Sequence, residues 1–182
     1  MCASLPGGVQ MNKRISALKF ALENEQNERD FYLANARRTK NLAGKNMFKQ
    51  IADEEKEHYD MLKKLFEKWD SKQKWPDTIP LKVKKSVSGN ILKSMSEKKA
   101  ARIKGNEDDL KAVRTAIDFE ARGMALYTKL EEGSTDPKEK DFFKLLASIE
   151  RQHFMSLRET EEFLSDPVSW YQNAEKVTLD GG

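Results

Sequence analysis

Glu55 and His58 lie three residues apart in I-A-D-E-E-K-E-H-Y-D-M-L, residues 51–62. On a helix, that spacing aims both side chains from one face. Phe48, Ile51, Leu62 and Leu65 fall on the same face in alternating steps of three and four, the seam that a helix buries in a bundle. A carboxylate and an imidazole therefore stand where a core would hold leucine. The pattern recurs: Phe143, Leu146, Glu150, His153 and Leu157 repeat the same steps, with the Glu-x-x-His pair displaced by 95 residues. These are the only two histidines in the chain, and each has a glutamate three residues before it.

The same offset relates two further helical faces. Leu18, Leu22, Glu25 and Tyr32 correspond to Val113, Ile117, Glu120 and Tyr127. Four seams thus supply Glu25, Glu55, Glu120 and Glu150, and two of them add His58 and His153. Burying four carboxylates without cations would cost on the order of several kcal/mol per ion, so they must protonate or find positive charge. Two divalent metal ions match them in formal charge. Imidazole and carboxylate donors suit iron, manganese or zinc. One glutamate from each of two helices and a Glu-x-x-His pair from each of two others is the general pattern of dinuclear carboxylate bundles. Tyr32 and Tyr127 each lie two turns beyond a glutamate of the set, so each hydroxyl is expected to reach that glutamate or the one across the bundle.

The elements that position these residues read as two helical hairpins. Residues 1–9 form a loose lead-in containing Pro6, Gly7 and Gly8. One long helix is expected from about Gln10 to Asn41, and a second from Met47 to about Trp69, with Gly44 as the break. Residues 70–106, with Pro76, Pro80 and dense lysines, form a crossover long enough to travel the bundle. It is expected to hold a shorter helix over 90–104. Asn106 begins the second hairpin, 107–165, with acids in the first helical turn. Gly133 ends the third helix. Asp136-Pro137-Lys138-Glu139 opens the fourth as a capping box with proline at the first position. Asp166-Pro167 closes it and starts a short tail, 166–182, whose Trp170 and Tyr171 pack on the bundle. The expected architecture is one all-α domain over 1–182, a four-helix bundle made from a duplicated hairpin.

Composition narrows the remaining classes. A length of 182 residues suits one domain with a sizeable core. Charged residues make up 35% of the chain, yet the net charge is only +3, because acids and bases are interleaved. That argues against nucleic-acid or membrane binding, and no apolar run is long enough to span a bilayer. Residues 1–10 lack the basic start and apolar stretch of a signal peptide. Cys2 is the single cysteine, which excludes an internal disulfide or a four-cysteine metal site within these residues. A reducing cytoplasm is the expected compartment.

The motifs E-Q-N-E-R-D-F-Y at 25–32, E-K-E-H at 55–58, E-A-R-G-M-A-L-Y at 120–127 and E-R-Q-H at 150–153 resemble rubrerythrin, in the ferritin-like superfamily. The resemblance runs from about residue 12 to the end, and D-P-V-S-W-Y followed by L-D-G-G resembles the tails of short members. It implies a ferritin-like four-helix bundle with two iron ions (Fe2+/Fe3+), manganese or zinc being alternatives. Glu55 and Glu150 would bridge the metals, Glu25 and Glu120 would be terminal ligands, and His58 and His153 would cap one metal each.

The chain departs from the family twice. It lacks the four cysteines of a rubredoxin-like domain, which makes it resemble a short form that takes electrons from an external donor such as a rubredoxin. The family's extra glutamate, three residues after the third-helix ligand, is Gly123 here, while the duplicate position in the first helix is Glu28. Glu28 is either a seventh carboxylate from the opposite side or a rim residue. The implied activity is a peroxide reductase, with protons from Tyr32, Tyr127, Glu28 or solvent, in a homodimer. The alternatives are ferritin-like iron oxidation with storage or delivery, and an oxygen-activating oxidase.

Overall fold

A computed structural model describes the backbone over residues 7–72 and 105–179, and side chains over 15–68 and 105–173. The expected crossover and its helix at 90–104 lie almost wholly outside the described residues. Among the described residues five helices follow in order: α1 Gly7–Arg38, α2 Leu42–Lys72, α3 Glu107–Gly133, α4 Pro137–Ser165 and α5 Pro167–Leu179. No strand occurs among the described residues. The first four form two antiparallel hairpins, α1 with α2 and α3 with α4, and the hairpins meet through α1–α3 and α2–α4.

Local chemistry sets the helix ends. Asn106 caps α3 by accepting from the Asp109 amide at 2.8 Å, and the acids Glu107, Asp108 and Asp109 occupy its first turn. Asp136 caps α4 by accepting from the amides of Lys138 and Glu139, with Pro137 opening the helix.

The first turn differs from expectation. Gly44 does not break the chain but sits in the first turn of α2, where its amide donates to Asn41 Oδ1 at 3.1 Å. The break is residues 39–41, with Asn41 as the cap, so α1 stops at Arg38 and α2 starts at Leu42. Glycine fits there because a Cβ would lie 3.2 Å from Thr39 Cγ2. Two more expectations need correction. The backbone of Gly7, Gly8 and Val9 is already helical, so the lead-in is shorter than residues 1–9. The segment after Asp166 is a helix rather than a tail: Asp166 accepts from the Ser169 amide and hydroxyl, and Pro167 takes the first helical position. Trp170 packs edge-on against Phe163, their rings 5.5 Å apart, and Tyr171 also packs on the core.

The buried seams divide the interior into three layers. One apolar cluster centres on Tyr32, Phe48, Ile51, Val113, Leu157 and Phe163. Another centres on Leu18, Leu62, Leu65, Tyr127, Phe143 and Leu146. Leu22, expected on the inner face of α1, is only partly buried at the edge of the second cluster. Between the clusters lies a layer of acids and imidazoles. Apolar burial on both sides supplies the stabilisation, and it holds a layer that would not assemble on its own.

Candidate metal centre

The inward faces of α1 and α3 each place one glutamate at mid-length, and α2 and α4 each place a glutamate and a histidine. Glu25, Glu55, Glu120, Glu150 and His153 are completely buried, and His58 is 3% exposed. All six predicted metal-site residues therefore come together. His58 Nδ1 lies 2.9 Å from Glu55 Oε2 and 3.3 Å from Glu25 Oε2. His153 Nδ1 lies 2.9 Å from Glu55 Oε1, 3.5 Å from Glu120 Oε2 and 3.9 Å from Glu150 Oε2. The two imidazoles stack with centroids 5.5 Å apart.

Three overlapping groups offer ligand atoms within 4.8 Å of one another: Glu55 with Glu120, Glu150 and His153; Glu25 with Glu55 and His58; and Glu25 with Glu28, Glu55 and Glu150. Glu55 belongs to all three, and Glu150 to two. The groups thus form one continuous cluster with Glu55 at its centre.

The cluster is not satisfied by its own hydrogen bonds. Glu25 Oε2, Glu28 Oε2, Glu55 Oε1, Glu120 Oε2, both Glu150 oxygens and His153 Nδ1 are buried with no hydrogen-bond partner. Buried polar groups are normally paired, so these orphaned ligand-type atoms gathered at one point fit a bound cation. Among the described residues, the cationic neighbours of the four glutamates are the two histidines alone. The donor set, oxygen with one imidazole nitrogen per position, fits divalent transition metals.

Without metal, the layer redistributes protons. Burial, offset in part by a hydrogen bond to His58, pushes Glu25 up to about 7. Burial, then the charges of Glu28 and Glu120, raises Glu150 well above the carboxylate range. Glu55 moves the other way: burial would raise it, but His153 and His58 hold it far below its ordinary value. The imidazoles complement it. Burial opposes their charge, yet Glu55 and Glu25 hold His58 up to about 10, and Glu55 and Glu120 raise His153. Protonated histidines thus take the place that metal cations would occupy.

The two tyrosines reach across the bundle. Tyr32 donates to Glu120 and Tyr127 to Glu25, so each hydroxyl serves the opposite hairpin's glutamate. Both rings are fully buried, and burial followed by the neighbouring glutamates keeps both phenols protonated far above their ordinary range.

Glu28 is not at the rim. It is 4% exposed and leans over Gly123, where an added Cβ would lie 3.4 Å from Glu28 Oε1 and from Glu150. Glycine on α3 thus leaves space for the carboxylate from α1. Burial, then Glu120, Glu55 and Glu25, raises Glu28 well above the usual range.

Glu54 escaped the sequence reading. Its Oε2 lies 2.8 Å from His153 Nε2, and its Oε1 accepts from Gln50 at 2.9 Å. With Nδ1 of His153 facing the cluster, Glu54 fixes the ring's tautomer and orientation from outside. The duplicate of position 54 is Ile149, which is 3% exposed in the apolar core, so no corresponding carboxylate stands behind His58. The run D-E-E at 53–55 gave no sign of this, because only the crossing of α2 and α4 brings Glu54 to His153.

A four-helix bundle with this carboxylate and histidine layer defines the ferritin-like class of helical proteins. The rubrerythrin family matches residues 16–161, most of the chain. The protein belongs to the rubrerythrin family. It is also similar to a solved structure of a hypothetical protein from Pyrococcus furiosus, at 25% identity and a TM-score of 0.59, covering 82% of this chain and 89% of that one. None of the curated proteins matches. Among the described residues, no helix is long and apolar enough to cross a membrane.

Proposed function

We propose that the chain is a non-haem dinuclear iron protein that reduces peroxide with electrons from an external donor, in the manner the family resemblance implies. The observation that carries this reading is the set of orphaned buried oxygens around two imidazoles. Glu25, Glu55 and His58 would hold one ion, and Glu55, Glu120, Glu150 and His153 the other. When bound, two ferrous ions supply the two electrons that cleave a peroxide O–O bond and stabilise the developing oxygen charge.

The protein's own groups exclude water and manage protons. The apolar clusters seal the layer at both ends. Tyr32 and Tyr127 hold the outer oxygens of Glu120 and Glu25 by hydrogen bonds, which fixes those carboxylates and leaves a proton one bond away. Burial and the neighbouring glutamates raise Glu28 well above the usual carboxylate range, which suits proton donation. In this reading the electrons come from a separate donor such as a rubredoxin. We further propose that the protein acts as a homodimer in the cytoplasm.

Stopped-flow oxidation of the anaerobically loaded diferrous protein tests this reading. Hydrogen peroxide is expected to oxidise the site much faster than dioxygen does. Equal or slower oxidation by peroxide overturns the reductase. In that event, a closed multisubunit shell by sedimentation would point to iron oxidation and storage.

A further inference from the structure

Between α1 and α3 the bundle surface opens into a cavity of about 510 Å3. Phe20, Phe119 and Leu126 give it apolar walls, and Arg122 and Lys129 stand at its exposed edge. Its most deeply buried lining residue is Glu28, which also belongs to one of the ligand groups of the metal centre. Two other cavities, beside Trp170 and beside Tyr59, touch no member of that centre. The α1–α3 cavity is therefore connected to the metal layer through one side chain.

The floor of the cavity is polar in a specific way. Glu28 Oε2 and Asn24 Nδ2 are both buried without a hydrogen-bond partner, although Asn24 is near enough to favour the charged form of Glu28. An acceptor and a donor thus lie side by side beneath apolar walls. Phe20 is 54% exposed, an apolar surface that a ligand would cover. Gly123, with no side chain, lets Glu28 stand between the cavity and Glu150.

We propose that this cavity is the substrate pocket of the metal centre and that it takes organic hydroperoxides, ROOH, with an apolar body. This rests on the peroxide-reductase reading and names its substrate class. The terminal O–H donates to Glu28 and an oxygen accepts from Asn24, while R lies on Phe20, Phe119 and Leu126. The reaction balances as ROOH + 2 H+ + 2 e− giving ROH + H2O. The O–O bond would break with one electron from each of two bound ferrous ions, a one-electron protein reductant would restore both, and the two protons would enter from solvent through the cavity. Arg122 and Lys129 make the mouth tolerant of an acidic substituent on R.

Two measurements on the full chain test this, with cumene hydroperoxide as substrate and its alcohol product as binding probe. In stopped flow, cumene hydroperoxide is expected to oxidise the diferrous protein at a rate comparable with hydrogen peroxide. Ala125→Trp, on the exposed wall of α3, should slow cumene hydroperoxide about tenfold or more while changing hydrogen peroxide by less than about twofold. In the metal-free protein, the alcohol should shift the backbone amide NMR signals of Asn24, Phe119 and Leu126, and Ala125→Trp should remove those shifts. Absence of shifts in the unsubstituted protein overturns the pocket, whatever the kinetics. Oxidation by hydrogen peroxide but not by cumene hydroperoxide overturns the substrate class and leaves the reductase standing. Failure of both peroxides overturns the reductase and the substrate class together.

Discussion

Replacing Glu54 separates the two metal positions. Its carboxylate holds His153 Nε2 at 2.8 Å, whereas the duplicate position is the apolar Ile149 and offers His58 nothing comparable. Outer partners of this kind are worth about 10–100-fold in metal affinity, or roughly 1.4–2.7 kcal/mol at 1.36 kcal/mol per factor of ten. Glu54 is 19% exposed, so water replaces part of the loss and the lower end applies to Glu54→Gln, which keeps an acceptor. Glu54→Ala should approach the upper end. The assay is anaerobic Co2+ titration against a chelator, read by the d–d absorption of each bound ion. One of two binding steps should weaken by about tenfold or more while the other holds within about threefold. Thermal unfolding of the metal-free protein controls for folding. Two unaffected steps, or two steps weakened equally, would refute the assignment of Glu54 to His153 alone.

Other consequences follow from the same layer. Without metal, Glu25 is pushed up to about 7 and His58 to about 10, so the folded chain binds more protons than the unfolded chain and loses stability as pH rises. The Glu25 contribution is complete below 4.5 and gone above about 7, and that of His58 is complete below 6.5 and gone above about 10. The opposite shift of Glu55 acts only in acid, below 4.5. The melting temperature of metal-free protein should therefore fall between about pH 5 and about pH 9, and the gain on adding metal should grow with pH; a flat or rising metal-free profile would contradict the layer. Tyr32→Phe and Tyr127→Phe each leave a buried glutamate oxygen without its donor and should cost about 1–3 kcal/mol in denaturant unfolding. Asp136→Ala removes the cap that accepts two amides and should cost about 1 kcal/mol without changing metal stoichiometry.

The buried cluster was legible because its signal was periodic and doubled. Heptad steps placed Glu55, His58, Glu150 and His153 on buried seams, and the repeat picked out Glu25 and Glu120 from other acids. What stayed hidden depended on contacts between helices or on turns with two meanings. The Asp-Pro pair opens α4 at 136–137 and opens α5 at 166–167, but the second also follows a helix and so read as a stop. Gly44 resembled a helix terminator, yet Asn41 three residues earlier supplies the cap and the glycine relieves crowding against Thr39. Glu28 shares a face with Glu25, and its burial depends on the space left by Gly123 on another helix. The tyrosines' choice of the opposite glutamate and the role of Glu54 likewise follow from helix crossing, which periodicity along one chain does not encode.

Assembly of the middle layer's acids and imidazoles around two cations is open to direct test. Anaerobic titration of the full chain with Fe2+, followed by equilibrium dialysis and metal analysis, tests it directly. Two ions per chain are expected, and Glu55→Gln, which alters the one residue common to every ligand group, should weaken both. A chain that binds no Fe2+, or binds two ions as tightly without the Glu55 carboxylate as with it, would contradict the claim.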